Sequence, residues 1–171
     1  PSLVALMEEA FGRYADRTAY SFLGKAFCYR DTDAHSRALA AYFQGLGLAK
    51  GDRVALMMPN VPQYPVAVAA ILRAGLVVVN VNPLYTAREL EHQLRDSGAK
   101  AIVILENFAH TLQACIAQTQ VKHVVLAAMG DRLGLLKGAL VNHVVRRVKK
   151  LVPPFELPGA VRYNDALAEG G

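Results

Sequence analysis

Four short apolar runs, within Arg53–Met58, Val77–Val79, Ala101–Leu105 and Lys122–Ala127, are separated by stretches of helical periodicity. The first of them, Arg53–Met58, is apolar enough for a strand covered on both faces, and strands alternating with helices at this spacing belong to parallel sheets with helical crossovers. The helices are legible between them. Val61-Pro62 opens one that runs to Arg73 and stops at Gly75. Another, after Asn80-Val81-Asn82-Pro83, turns Arg88, Glu89, Glu91 and Arg95 to solvent, and a third spans about Ala109 to Gln118. The spacing predicts right-handed βαβ units and an α/β fold with a largely parallel sheet flanked by helices.

Upstream, Ser2 caps a helix predicted to reach Ala15, with Leu3, Leu6, Met7, Ala10, Phe11 and Tyr14 on one stripe. Thr18–Leu23 and Ala26–Tyr29 read as strands of a hairpin turning at Gly24-Lys25. Asp31-Thr32-Asp33 opens a further helix that Gly45 and Gly47 end. After Leu151 the run VPPFELPG reads as an extended connector. The domain organisation expected is an α/β portion over residues 1–130 and a basic helix with its connector over residues 131–171.

Charge is local. Of 19 Lys and Arg residues, six (Arg132, Lys137, Arg146, Arg147, Lys149, Lys150) fall in one window without an acid. The rest of the chain is nearly balanced, so the net charge of +5 belongs to that segment. No apolar stretch approaches the ~20 residues that span a bilayer. Cys28 and Cys115 are isolated in apolar runs, as reduced cytosolic thiols are.

A phosphate cradle is absent. Gly45, Gly47 and Gly51 end a helix where a dinucleotide loop opens one, and Gly24-Lys25 is followed by Ala26 instead of Ser or Thr. Asp31-x-Asp33-x-His35 has metal-ligand types but sits at a helix start, where acids cap. Glu89-x-x-His92 lacks the second pair that carboxylate-bridged metal sites use. Neither cysteine has a histidine beside it. Asn80-Val81-Asn82-Pro83 has two readings: ligand groups at a strand's carboxyl end, or a turn leading into the Thr86-x-x-Glu89 capping box. No catalytic, cofactor-binding or metal-ligating residue is assigned in this chain.

The order of GDRVALMMPN, YPVAVAAILRAG, VVVNVNPLYTARELEHQLRDSGAKAIVI and FAHTL resembles the N-terminal part of adenylate-forming enzymes. The blocks FCYRDTDAHSRALAAYF and Arg73–Lys100 are similar to that superfamily's first two core motifs. The stretch MGDRLGLLKGALVNHVVRRVKKLVPPFELPGAVRYNDAL narrows the resemblance to bacterial long-chain fatty-acid–CoA ligases. The resemblance implies an incomplete piece of such an enzyme's large N-terminal domain, serving as scaffold and inactive alone. It implies a cytoplasmic parent that uses ATP, Mg2+ and CoA on a fatty acid, alone or as an oligomer. In that family the phosphate loop follows shortly after the point where this chain stops.

Laid on a helix, Leu135–Leu151 places Leu140, Val141, Val144, Val145, Val148 and Leu151 on one side. Arg146, Lys149, Lys150, Asn142 and His143 fall opposite, with Arg147 at the border and Lys137 out of place. A basic face against an apolar one suits a helix lying on an anionic membrane, here the inner face. A core-packed helix with solvated charges is the other reading. Candidate membrane-surface residues are therefore Lys137, Val141, Val144, Val145, Arg146, Arg147, Val148, Lys149 and Lys150. Without interleaved aromatics the stripe does not suit nucleic acid. The rivals left are a ligase for shorter or aromatic acids and a non-catalytic α/β interaction module.

Overall fold

The computed structural model describes residues 2–171. Its centre is a five-stranded sheet in which every pairing is parallel. The strands are β3 (Arg53–Met57), β4 (Val77–Asn80), β5 (Ala101–Leu105), β6 (His123–Ala127) and the short β7 (Val161–Arg162), in the order β4-β3-β5-β6-β7. The antiparallel pair β1 (Thr18–Phe22) and β2 (Lys25–Cys28) stands apart.

Each doubly covered strand divides its side chains between two cores with a period of two. Val54, Leu56, Ala101, Val103, Leu105 and Val125 face one side. There they meet α2 (Tyr29–Gly45), α3 (Gln63–Arg73) and α7 (Tyr163–Gly170) through Leu39, Phe43, Val66, Ala70, Ile71 and Tyr163. Ala55, Met57, Ile102, Ile104 and Leu126 face the other. They meet α4 (Ala87–Ser97) and α5 (Ala109–Gln113) through Leu90, Leu94, Ala109 and Leu112.

The helix ends follow local chemistry. Thr86 Oγ1 accepts from Glu89 N–H while the Glu89 carboxylate accepts from Thr86 N–H at 2.8 Å, the reciprocal cap expected for α4. Gly98 ends that helix at φ +63°, a left-handed conformation that glycine adopts without a Cβ clash.

Several boundaries differ from expectation. The helix α2 starts at Tyr29, and Asp31 sits inside its first turn, accepting from Cys28 N–H at 3.2 Å. The predicted 109–118 helix is broken: α5 is flanked by 3₁₀ turns at Glu106–Phe108 and Ile116–Gln118. The first helix, α1 (Leu3–Arg13), buries only Phe11 of its apolar stripe. Leu3 and Leu6 stay exposed, because a stripe's periodicity does not guarantee a partner along its whole length. The basic segment is not one α-helix: α6 (Leu135–His143) passes into a π-helical turn at Val144–Val148 and ends at Lys150 with φ +50°.

Candidate functional site

Successive strands depart to opposite sides of β3, with β4 on one flank and β5 on the other. The loops leaving the carboxyl ends of β3 and β5 therefore diverge, and that divergence makes the crevice where open parallel sheets take ligands. Pro59-Asn60 follows β3, and Glu106 follows β5 directly. At the start of α3, Gln63 is buried and donates from Nε2 to Ala128 O at 2.7 Å beyond β6, while its Oε1 has no protein partner among the described residues. The Tyr163 hydroxyl, at the start of α7, is likewise buried without one. Burial raises the Tyr163 phenol above its usual range, a shift the nearby Arg132 charge only partly opposes.

Glu106 organises this end of the sheet. Its side chain is 2% exposed and sits between two arginines. Arg146 Nε and Nη2 donate to its two oxygens at 2.7 and 2.9 Å, and Arg162 Nη1 donates at 2.9 Å. The hydrogen bonds to Glu106 raise the Arg146 guanidinium further above its already high value. Asp131 lies close by and accepts from Ala128 N–H at 2.7 Å; burial pushes its carboxyl up. A carboxylate fully withdrawn from water needs such pairing to remain charged.

The candidate membrane-surface residues thus separate into three groups. Arg146 is committed to Glu106, and Val145 is buried with Val141 and Val144 half-buried, so much of the valine stripe serves packing. Lys137 donates to Leu23 O in the β1–β2 turn. Arg147, Val148, Lys149 and Lys150 remain exposed, and among the described residues none of the three cations has a carboxylate within ion-pair distance. Four participants escaped the sequence reading. Leu135 and Leu136 are 93% and 90% exposed, and Glu106 and Arg162 complete the arginine clamp. Glu106 had a legible signal: a charged residue directly after a doubly buried strand, at the ligand end of the sheet.

The remaining polar patterns resolve locally. Asp33 pairs with Arg73 and Arg37, and Asp31 caps Cys28 N–H. His35 Nδ1 lies 2.9 Å from Arg132 Nη2; burial and that charge hold the imidazole below its usual pKa, uncharged at neutral pH. The Glu89 carboxylate is occupied by Thr86 rather than by His92. Asn80 Oδ1 accepts from Tyr64 Oη at 2.7 Å, and Asn82 Oδ1 accepts from Leu84 N–H at 3.0 Å, which makes this loop a side-chain-supported turn. An apolar groove of about 390 Å³ lies between α1, β1 and α3, with Phe11, Tyr20 and Tyr64 in its lining.

The family model described as AMP-binding enzyme matches residues 7–161. The chain belongs to that family. The chain is 58% identical over 170 residues to the long-chain-fatty-acid–CoA ligase of Escherichia coli O157:H7, covering 99% of itself and 30% of that protein. It is 53% identical, with the same coverage of 99% and 30%, to the long-chain-fatty-acid–CoA ligase of Haemophilus influenzae. The chain spans about 30% of the length of the curated relatives it matches. Among solved structures, the anthranilate CoA ligase AuaEII in complex with anthranoyl-AMP superposes with a TM-score of 0.76 at 17% identity. That superposition covers 96% of this chain and 27% of the other, and it shows the shared fold.

Family membership raises the question of ATP, Mg2+ and CoA. Of the glycines with positive φ, Gly47 and Gly51 lie at the amino end of the sheet, between α2 and β3, and Gly134, beyond the carboxyl end of β6, stands alone before α6. Among the described residues no three of His, Cys, Asp and Glu are placed to hold a metal ion. The described residues do not by themselves fit a nucleotide or metal site.

Proposed function

We propose that this chain is the scaffold portion of an ATP-dependent long-chain fatty-acid–CoA ligase. The reaction is two-step. A fatty carboxylate attacks the α-phosphate of ATP to give acyl-adenylate and pyrophosphate, then the CoA thiol displaces AMP and forms the thioester. The observation that carries the reading is the 58% identity over 170 residues, a span that takes in the basic segment after Gly130 as well as the sheet. The role of this chain is to hold the carboxyl ends of β3 and β5 open toward the rest of the enzyme and to carry the basic segment on the Glu106 clamp. The protein works in the cytoplasm, where that segment gives it peripheral contact with the inner face of the membrane.

The experiment is acyl-CoA formation by the complete protein with ATP, Mg2+ and fatty acids of increasing length, with the 171-residue chain as control. Activity that peaks at long chains in the complete protein and is absent from the control is the expected result. A peak at short or aromatic acids would replace the substrate assignment. No activity in a well-folded complete protein would overturn the ligase reading.

A further inference from the structure

The basic segment does not present the side that its periodicity suggests. Gly138 of α6 is buried against Gly130, so closely that a Cβ on it would lie 2.4 Å from Gly130 O. Asn142 Oδ1 accepts from Gly130 N–H at 2.7 Å, and Val145 is buried one turn beyond. These contacts fix the docked side of the helix. The other side carries Leu136 and Leu140, the last 63% exposed, and Leu135, in the first turn ahead of the Gly130 contact, is exposed as well.

The tip of the β1–β2 hairpin lies against the same helix. Lys137 Nζ donates to Leu23 O across 114 positions of sequence, and Lys25 Nζ donates to Arg132 O at 2.8 Å. At that tip Leu23 is 51% exposed and has φ +46°. Left-handed backbone is disfavoured for a side chain of this kind, and a two-residue hairpin turn normally uses Asn or Gly there. A leucine both strained and exposed at a turn is hard to explain by stability, but it suits a surface that must be greasy.

Charge completes the pattern. Lys25 and Lys137 bracket the hairpin contact, and Arg147, Lys149 and Lys150 follow along the helical segment, while the Arg132 side chain is turned inward onto His35 and Phe27. Three acids near these cations are already engaged: Glu106 is paired with two arginines, Asp131 accepts from Ala128 N–H, and Asp31, which feels the Arg132 charge, accepts from Cys28 N–H. Exposed leucines rimmed by unneutralised cations match the acyl boundary and the anionic headgroups of a bilayer at once. No helix among the described residues is long and apolar enough to cross a membrane, so the contact lies on the surface.

We propose that Leu23, Leu135, Leu136 and Leu140 form one docking surface for an anionic lipid bilayer, with Arg147, Lys149 and Lys150 seated on the headgroup phosphates. The inference deepens the peripheral-membrane part of the proposed function and rests on it. It moves the contact from the valine stripe to the leucines and adds the hairpin tip.

The test is co-sedimentation of the complete protein with vesicles of phosphatidylcholine, with and without phosphatidylglycerol, at low and high salt. Wild type is expected to pellet with the phosphatidylglycerol vesicles. The pair Leu135→Ser and Leu136→Ser, at positions outside the core, lowers partitioning by about tenfold or more. Leu23→Asn, which suits the turn's backbone, lowers it about threefold without lowering the melting temperature. Charge reversal of Lys149 and Lys150, or high salt, removes only the phosphatidylglycerol-dependent part. Unchanged binding by the leucine pair, or no binding by wild type, overturns the proposal. It also falls if the leucine pair changes only self-association without vesicles, since the surface then meets a second copy. Acyl-CoA formation in the same preparations tests the ligase reading separately. Activity without vesicle binding removes the docking surface alone, and vesicle binding without activity removes the ligase reading alone.

Discussion

Glu106 is a charge that depends on its neighbours in an asymmetric way. The carboxylate is 2% exposed, whereas Arg146 and Arg162 are 40% and 49% exposed, so either arginine regains water when the pair is broken and the carboxylate cannot. Replacing both arginines by Met strands a buried charge and is expected to cost about 3–5 kcal/mol. Glu106→Gln keeps the shape and leaves two cations that rehydrate, at about 1–2 kcal/mol. Urea denaturation of the two variants measures the difference; an equal or reversed order would mean that the arginines do not sustain the carboxylate. Little of this was readable beforehand. Residues 106, 146 and 162 meet only because β5, the π-helical turn and β7 converge at one end of the sheet. Nothing in local spacing encodes that meeting.

At the scale of elements, α6 shows that periodicity alone does not choose which side of a helix docks. Leu140 and Val148 of the predicted apolar side are exposed and Arg146 of the predicted basic side is bound to buried Glu106; the docking side is chosen by Gly138 and Gly130, whose backbones touch where any side chain would intervene. Gly138→Ala raises helix propensity by about 1 kcal/mol. The overlap with Gly130 O costs about 1–3 kcal/mol, so a net loss is expected and α6 should detach first. Gly12→Ala in α1, where a Cβ meets nothing within 4 Å, is the control and should be neutral or stabilising by about 0.5–1 kcal/mol. Comparing the urea midpoints of the two alanine variants checks this, and a stabilised Gly138→Ala would remove the close-contact account. The strands fared better than the helix faces. The VALM of β3 has no polar side to misplace, so a strand covered on both faces was the reading that packing then bore out.

For the molecule as a whole, two cores share one sheet, and Cys115 reports on the one beneath α4 and α5. Burial pushes its thiol up to about 11, which leaves roughly a thousandth as thiolate at pH 8. Cys28 is half-buried at the entry to α2. A thiol reagent should therefore modify one cysteine promptly in the native protein and the second only as urea unfolds it. Prompt modification of both would place Cys115 outside the core. The sheet's strand order also bears on how the chain is made. With β4 on one flank of β3 and β5 on the other, a chain emerging in sequence completes the β3–β4 pair first. The second edge of β3, apolar on both faces, then waits unpaired until β5 has been synthesised. During that interval the nascent chain carries an open pairing edge, and it is in biosynthesis, more than in the finished fold, that this topology is exposed to aggregation.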